Sequence, residues 1–214
     1  MVVASYYQVL LAGAFWTVVL CVLSGLLSLV GGIPLALASI SKIKTIQRTT
    51  AFFIWLFLGT PLLLQLFLIY FGLPQMGIYF PPILSGIIGL SLHYAVYNSS
   101  VIRAGVVAIE LGQYEASRSL GLSHLETMFK VILPQALRNV TPALGNNLIS
   151  LLKESALVSI ITVPELTLAA QRAISETFRP FEFYFAAGVL YYIINYYILE
   201  KLLYMIERRI ELSR

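Results

Sequence analysis

One ionisable pair stands where ionisable groups are expensive. Lys153 and Glu154 fall in the middle of an otherwise charge-free stretch, residues 143–163. A charge near the centre of a bilayer costs about 2.5–3.5 kcal/mol on insertion scales. On a helix, neighbours in sequence point about 100° apart, so the two need not pair with each other. Glu154 can face a cavity and take a substrate amine or guanidinium, or it can bridge to a basic residue of another helix. Asn98, beside Ser99 and Ser100, and Thr60, before Pro61, raise the same alternatives. An amide at depth must bond either a ligand or a neighbouring helix. The proline after Thr60 frees a backbone carbonyl, which leaves either a simple kink or a broken helix exposing polar backbone at the midplane. Ser155 could complete a pocket beside Glu154, and Leu157 could supply an apolar wall. Gln65 is a weaker candidate, and the lone His93 reads as a packed helix residue.

Other chemistries lack their residues. Cys21 is the single cysteine, so no disulfide framework or zinc set exists. No G-x4-G-K-[ST] loop is present to cradle a triphosphate. No set of nucleophile, base and orienter is visible. Haem clamping would need a histidine pair at depth. The basic residues form no stripe with interleaved aromatics, which argues against nucleic acid.

The elements that must position Glu154 are membrane helices. The 214-residue chain is 59% hydrophobic and only 11% charged, against roughly a quarter charged in a soluble domain. Residues 1–41 and 49–102 hold no Asp, Glu, Lys or Arg, and a span needs about 20 apolar residues. Five spans are predicted: within 10–40, with Gly31, Gly32 and Pro34 loosening its second half; near 51–72, broken or kinked at Pro61; 83–102; 143–163; and 183–200. Pro74 to Pro82 forms a turn. Asn195 is expected to bond between helices, and the tyrosines at 191–197 to serve as interface belt and helix packing. No basic residue precedes Lys42, so a cleavable signal peptide is not expected.

Lys42, Lys44 and Arg48, then Arg103, Arg118, Lys130 and Arg138, then Lys201, Arg208, Arg209 and Arg214 fall on one side if there are five spans. The positive-inside rule then puts the N-terminus outside and the C-terminus in the cytoplasm. Five spans are few for enclosing a path, which a two-fold pair of subunits would form more simply.

The loop between spans three and four predicts two short helices. Gly121 suits a left-handed helix end. Ser123 with Glu126 three residues on is a capping-box pattern. Pro134 should break or bend the helix beyond it. Leu122, Leu125, Met128 and Phe129 are too apolar for a solvated connector. They suit either a groove on a soluble partner or the lipid interface.

Glu115-Ala116-Ser117, then Gly121, then Val131-x-Leu133-Pro134 resembles the EAA loop of ABC importer permeases, with Ser117 and Val131 as conservative departures. Gly59-Thr60-Pro61 with Gln65, Arg103-Ala-Gly105, Gly112-Gln113, Leu133 to Arg138 and Leu152-Lys153-Glu154-Ser155 are similar to the polar amino acid permeases, the histidine, glutamine and arginine type. Ser100 stands where relatives often carry a glutamate. The resemblance covers about residues 10–170. It implies an all-α integral membrane fold of about five spans, the type I importer transmembrane domain. That would be one permease domain over 1–214, with a cytoplasmic coupling loop at 110–138. It implies that Glu115, Ala116 and Gly121, with Leu122 and Ser123 nearby, couple the chain to ATPase subunits. It further implies a second permease subunit, an extracytoplasmic substrate-binding protein and an amino acid substrate moved by alternating access in a bacterial plasma membrane. Substrate contacts would fall to Glu154, Asn98, Thr60, Ser155 and Leu157. The chain itself would hold no cofactor and perform no hydrolysis, since ATP and Mg belong to the partner. The rival class is an ion-gradient-driven secondary amino acid transporter, which needs neither the loop motif nor an ATPase.

Overall fold

The structure is a computed structural model and describes residues 2–201, 203–205 and 208. Arg209 and Arg214 of the basic C-terminus lie outside the described residues. Among the described residues all regular structure is helical.

A short α1 (Val2–Ser5) leads into α2 (Tyr7–Ser39). At 1.5 Å per residue these 33 residues extend about 50 Å, longer than the roughly 30 Å hydrocarbon core. Pro34 lies inside α2 without ending it. The expected loosening at Gly31 and Gly32 is not seen. A Cβ on Gly32 would come within 3.0 Å of the Asn98 Cβ and 3.2 Å of the Ala95 carbonyl oxygen. These glycines serve close helix approach, the usual way membrane helices gain packing when lipid is as apolar as leucine.

The predicted second span is two elements rather than one. α3 (Lys44–Leu58) and α4 (Leu62–Phe67) meet at Gly59-Thr60-Pro61, and the chain turns by 102° there. Pro61 is extended at φ −60°, ψ 139° and donates no backbone hydrogen bond, so the α3 ladder cannot pass through it. α4 runs on as a π turn, Leu68–Gly72, and a 3-10 turn, Leu73–Met76, which ends on a left-handed Gly77. The proline-rich turn expected here delivers the chain to α5 (Pro82–Val107).

α5 is the central helix. Ser91, His93, Asn98 and Ser99 are buried along it, which is why its hydropathy falls below that of a lipid-facing span. α6 (Leu111–Ser119) and α7 (His124–Glu126) form the two short loop helices that the sequence predicts. Gly121 joins them at φ 80°, and a complete capping box opens α7. Pro134 does not break the helix that contains it. A π turn, Thr127–Ile132, feeds α8 (Leu133–Glu154), and the proline sits in its first turn, where a missing donor costs least. Helix continues from His124 through the 3-10 turn Ser155–Ile161.

α9 (Leu166–Thr177) comes after a 48° bend. Glu165 caps it, accepting from the Thr167 and Leu168 amides at 2.9 and 2.8 Å. Tyr191 of α10 (Pro180–Ile193) donates to the same fully buried carboxylate. α10 passes into a π turn, Ile194–Glu200, in which the Asn195 amide nitrogen reaches Glu200 at 2.9 Å. That bond stays within one element, in place of the interhelical bond predicted.

Among the described residues α2 alone is by itself long and apolar enough to cross a membrane, and counting each of the two bent pairs as one span raises the number to three. α5 and the segment from α10 to Glu200 complete about five. Apolar side chains face outward along α2, α3 and α10; Trp55 is 68% exposed and Phe185 66%. A patch of this size is the signature of a lipid or protein contact, not of an aqueous surface.

Candidate functional site

Glu154 closes α8 where the helix tightens into its 3-10 continuation. Its side chain is 44% exposed. The Tyr94 hydroxyl donates to its Oε2 at 2.9 Å, and the His93 Nε2 lies 4.0 Å from the same oxygen. Lys153 points elsewhere and is exposed, in keeping with the helical angle. Among the described residues the basic side chain found beside Glu154 is thus a histidine of α5, at a distance beyond hydrogen bonding, and not a lysine or arginine.

His93 is buried and leads to the broken helix. Its Nδ1 lies 3.1 Å from the Gln65 Oε1. The Gln65 Nε2 in turn contacts the Phe57 carbonyl at 3.0 Å, the Thr60 carbonyl at 3.1 Å and the Thr60 Oγ1 at 2.9 Å. One amide thus satisfies the Phe57 carbonyl, whose helical donor Pro61 lacks, and the Thr60 carbonyl at the break, a requirement for irregular backbone at membrane depth. Thr60 spends its own proton on the Leu56 carbonyl at 2.9 Å. A continuous polar line runs from the break in the 44–76 pair through Gln65 and His93 to Glu154 and Tyr94.

Asn98 belongs to a different cluster. Its amide donates to Ser28 Oγ of α2 at 3.0 Å, and its Oδ1 accepts from Asn147 of α8 at 2.9 Å. It is 4% exposed, so of its two readings the interhelical one describes the bonds it makes. Ser155 is fully buried and its hydroxyl donates to the Leu152 carbonyl at 2.7 Å. Leu157 packs half-buried against the cluster of Leu20, Leu62, Leu66 and Val158. Of the five candidate contacts, the structure joins Thr60 to Glu154 through Gln65 and His93, and commits the polar groups of Asn98 and Ser155 elsewhere.

Sequence alone does not mark His93 and Tyr94 as site residues, and it ranks Gln65 low. Their common signal is polarity inside a charge-free stretch. Their pairing with residues 28 and 60 positions away carries no local pattern. Among the described residues no group of three or more His, Cys, Asp or Glu gathers to hold a metal.

The loop forms the second candidate site. Glu115, Ala116, Gly121 and Ser123 are exposed and Leu122 is half-buried. Around them Leu111, Leu120, Leu125 and Phe129 are 53–81% exposed. The loop is internally braced. Ser123 accepts from the Glu126 amide at 3.3 Å, Glu126 accepts from the Ser123 amide at 3.1 Å, and Lys130 reaches Glu126 at 2.8 Å. The Lys130 ammonium, then the Ser123 donors, hold the Glu126 carboxyl down at about 2.

Residues 28–212 match the family described as binding-protein-dependent transport system inner membrane component. The chain is 35% identical to the L-cystine transport system permease protein TcyB of Bacillus subtilis (strain 168), over 97% of this chain and 88% of that protein. It is 39% identical to the arginine transport system permease protein ArtQ of the same organism, over 86% and 85%. A crystal structure of an amino acid ABC transporter with histidines superposes with a TM-score of 0.87 at 40% identity, covering 97% of this chain and 96% of that one. The MetNI methionine ABC transporter, in inward-facing form, shares the fold, with a TM-score of 0.79 at 22% identity over 95% and 96%. These likenesses favour the permease reading over the ion-driven one. The chain belongs to the binding-protein-dependent inner membrane component family and is a permease subunit of an ATP-binding cassette importer.

Proposed function

We propose that this permease passes a polar amino acid of the cationic type, resembling arginine, lysine or histidine, and that Glu154 binds its positive group. The observation that carries this is a half-exposed carboxylate on a span, held by a tyrosine hydroxyl and, among the described residues, with no lysine or arginine within ion-pair distance. Such a group retains an unneutralised charge to offer a ligand. Thr60 and Leu157 flank the route, while Asn98 ties the helices around it and Ser155 bonds within its own helical run. The whole chain forms one permease domain that pairs with a second permease subunit, and the N-terminus faces outward, where a binding protein delivers substrate. Residues 110–138 dock on cytoplasmic ATPase subunits. Those partners hold ATP and Mg and perform the hydrolysis; this chain contributes no cofactor. The exposed apolar side chains around Gly121 support a protein docking face there.

The test is ligand-stimulated ATPase activity of the assembled complex across the amino acids. Arginine, lysine or histidine should stimulate most strongly. Equal stimulation by aspartate would overturn the cationic assignment.

A further inference from the structure

The hydrogen-bond line from the broken helix fixes the state of His93. The Gln65 Nε2 faces two carbonyl oxygens, Phe57 and Thr60, which can only accept. Its orientation is therefore set by the network, and its Oε1 is the atom turned to His93. An amide oxygen only accepts, so His93 Nδ1 carries the proton. In a neutral imidazole the other nitrogen, Nε2, then holds a lone pair. That lone pair faces the Glu154 carboxylate across 4.0 Å, too far for a hydrogen bond and with no hydrogen between them.

We propose that His93 is a specificity-determining residue of the substrate site: its Nε2 and the Glu154 carboxylate form a two-acceptor clamp for one cationic N–H group, an ammonium or guanidinium nitrogen. A nitrogen about 2.8–2.9 Å from each acceptor fits the 4.0 Å gap. Gln65 is a positioning residue, acting through the tautomer it imposes. This rests on the reading of Glu154 as the substrate carboxylate. The clamp has one natural competitor, a proton. Protonated His93 would neutralise Glu154 and lose its acceptor, so binding of a cation weakens as His93 gains a proton.

The groups that face His93 leave it as the one imidazole in this environment. Glu154 comes from α8, Tyr94 and Tyr97 from α5 itself, with ring centroids at 5.5 and 5.0 Å, and uncharged Gln65 from α4. α2 contributes only the Cys21 thiol, packed against Tyr94.

The test is calorimetric binding of L-arginine to the purified permease–ATPase complex, without binding protein, from pH 8 to pH 5.5. The unmodified complex should lose affinity toward the acid end of that range, by at most about tenfold, the scale of one hydrogen bond to a charged group. His93→Gln keeps an acceptor that does not titrate and should bind with a flat profile. His93→Phe should bind about tenfold more weakly at pH 8. A flat profile for the unmodified complex, or an unchanged slope in His93→Gln, overturns the clamp. The unmodified profile carries the test if either variant fails to assemble. Glu154→Gln separates the two readings. If it binds arginine normally, the Glu154 site itself is wrong; if it binds weakly while both His93 variants match the unmodified complex, only the clamp is wrong.

Discussion

The two candidate sites of this permease are built in opposite ways. In the loop after α5, Gly121, Ser123, Glu126 and Lys130 lie within ten residues, and each contact joins near neighbours in sequence. At membrane depth, Glu154, Tyr94, His93 and Gln65 come from three helices and meet only because α4, α5 and α8 pack together. A local site survives as long as its own turn does. An assembled site depends on every helix that holds it, so mutation should separate the two.

Gly121 offers the largest contrast. At φ 80° a β-branched residue is strained, yet a Cβ there would meet nothing within 4 Å in this chain. Gly121→Val should leave the permease inserted and abolish ATPase-linked uptake, measured in vesicles. Gly121→Asn, which tolerates the left-handed region, should keep substantial uptake if backbone shape is what matters. Loss in both variants would mean that a docked surface fills the open space.

Next in size is Glu154→Gln. Losing a charged hydrogen-bond partner should weaken binding of a cationic substrate by roughly tenfold to a hundredfold, with assembly intact by size-exclusion chromatography. Asn98→Ala should act differently, because Ser28 and Asn147 lose their shared partner. About 1 kcal/mol of stability should go, read as a lower melting temperature, with substrate affinity little changed. A large affinity loss at constant stability would move Asn98 into the site.

The smallest effect belongs to the capping box. The folded Glu126 carboxyl is held below its ordinary value, so its contribution is complete above about pH 4.5 and is lost as pH falls toward 2. Glu126→Ala should raise amide hydrogen exchange at Thr127–Lys130 at neutral pH and little else.

The same contrast explains what sequence can tell. The loop is legible because caps and left-handed glycines are encoded within a few residues: Ser123, Glu126 and Gly121 adopt the roles their types predict. The spans are legible from missing charge. The 102° turn at Pro61 is visible in sequence only as a break or kink, and the Gln65 bonds that satisfy its carbonyls join residues five and eight apart, outside the helical pattern. Pro134 misleads because a π turn upstream absorbs its effect. His93 looks like packing because its partners, Gln65 and Glu154, lie in other helices, and no spacing rule links residues so far apart.

One continuous element joins the two sites. Glu126 and Glu154 ride on the same unbroken helical run from His124 to Ile161, about 42 Å apart at 1.5 Å per residue. Such a rod behaves as a lever arm. Pivoting it by roughly 5° at the cytoplasmic end would swing the far carboxylate by about 4 Å, as wide as the gap it now keeps from His93. On the proposed clamp, a small tilt would suffice to open or shut the grip on a cation, and stroke length at the loop would then set affinity at the far end.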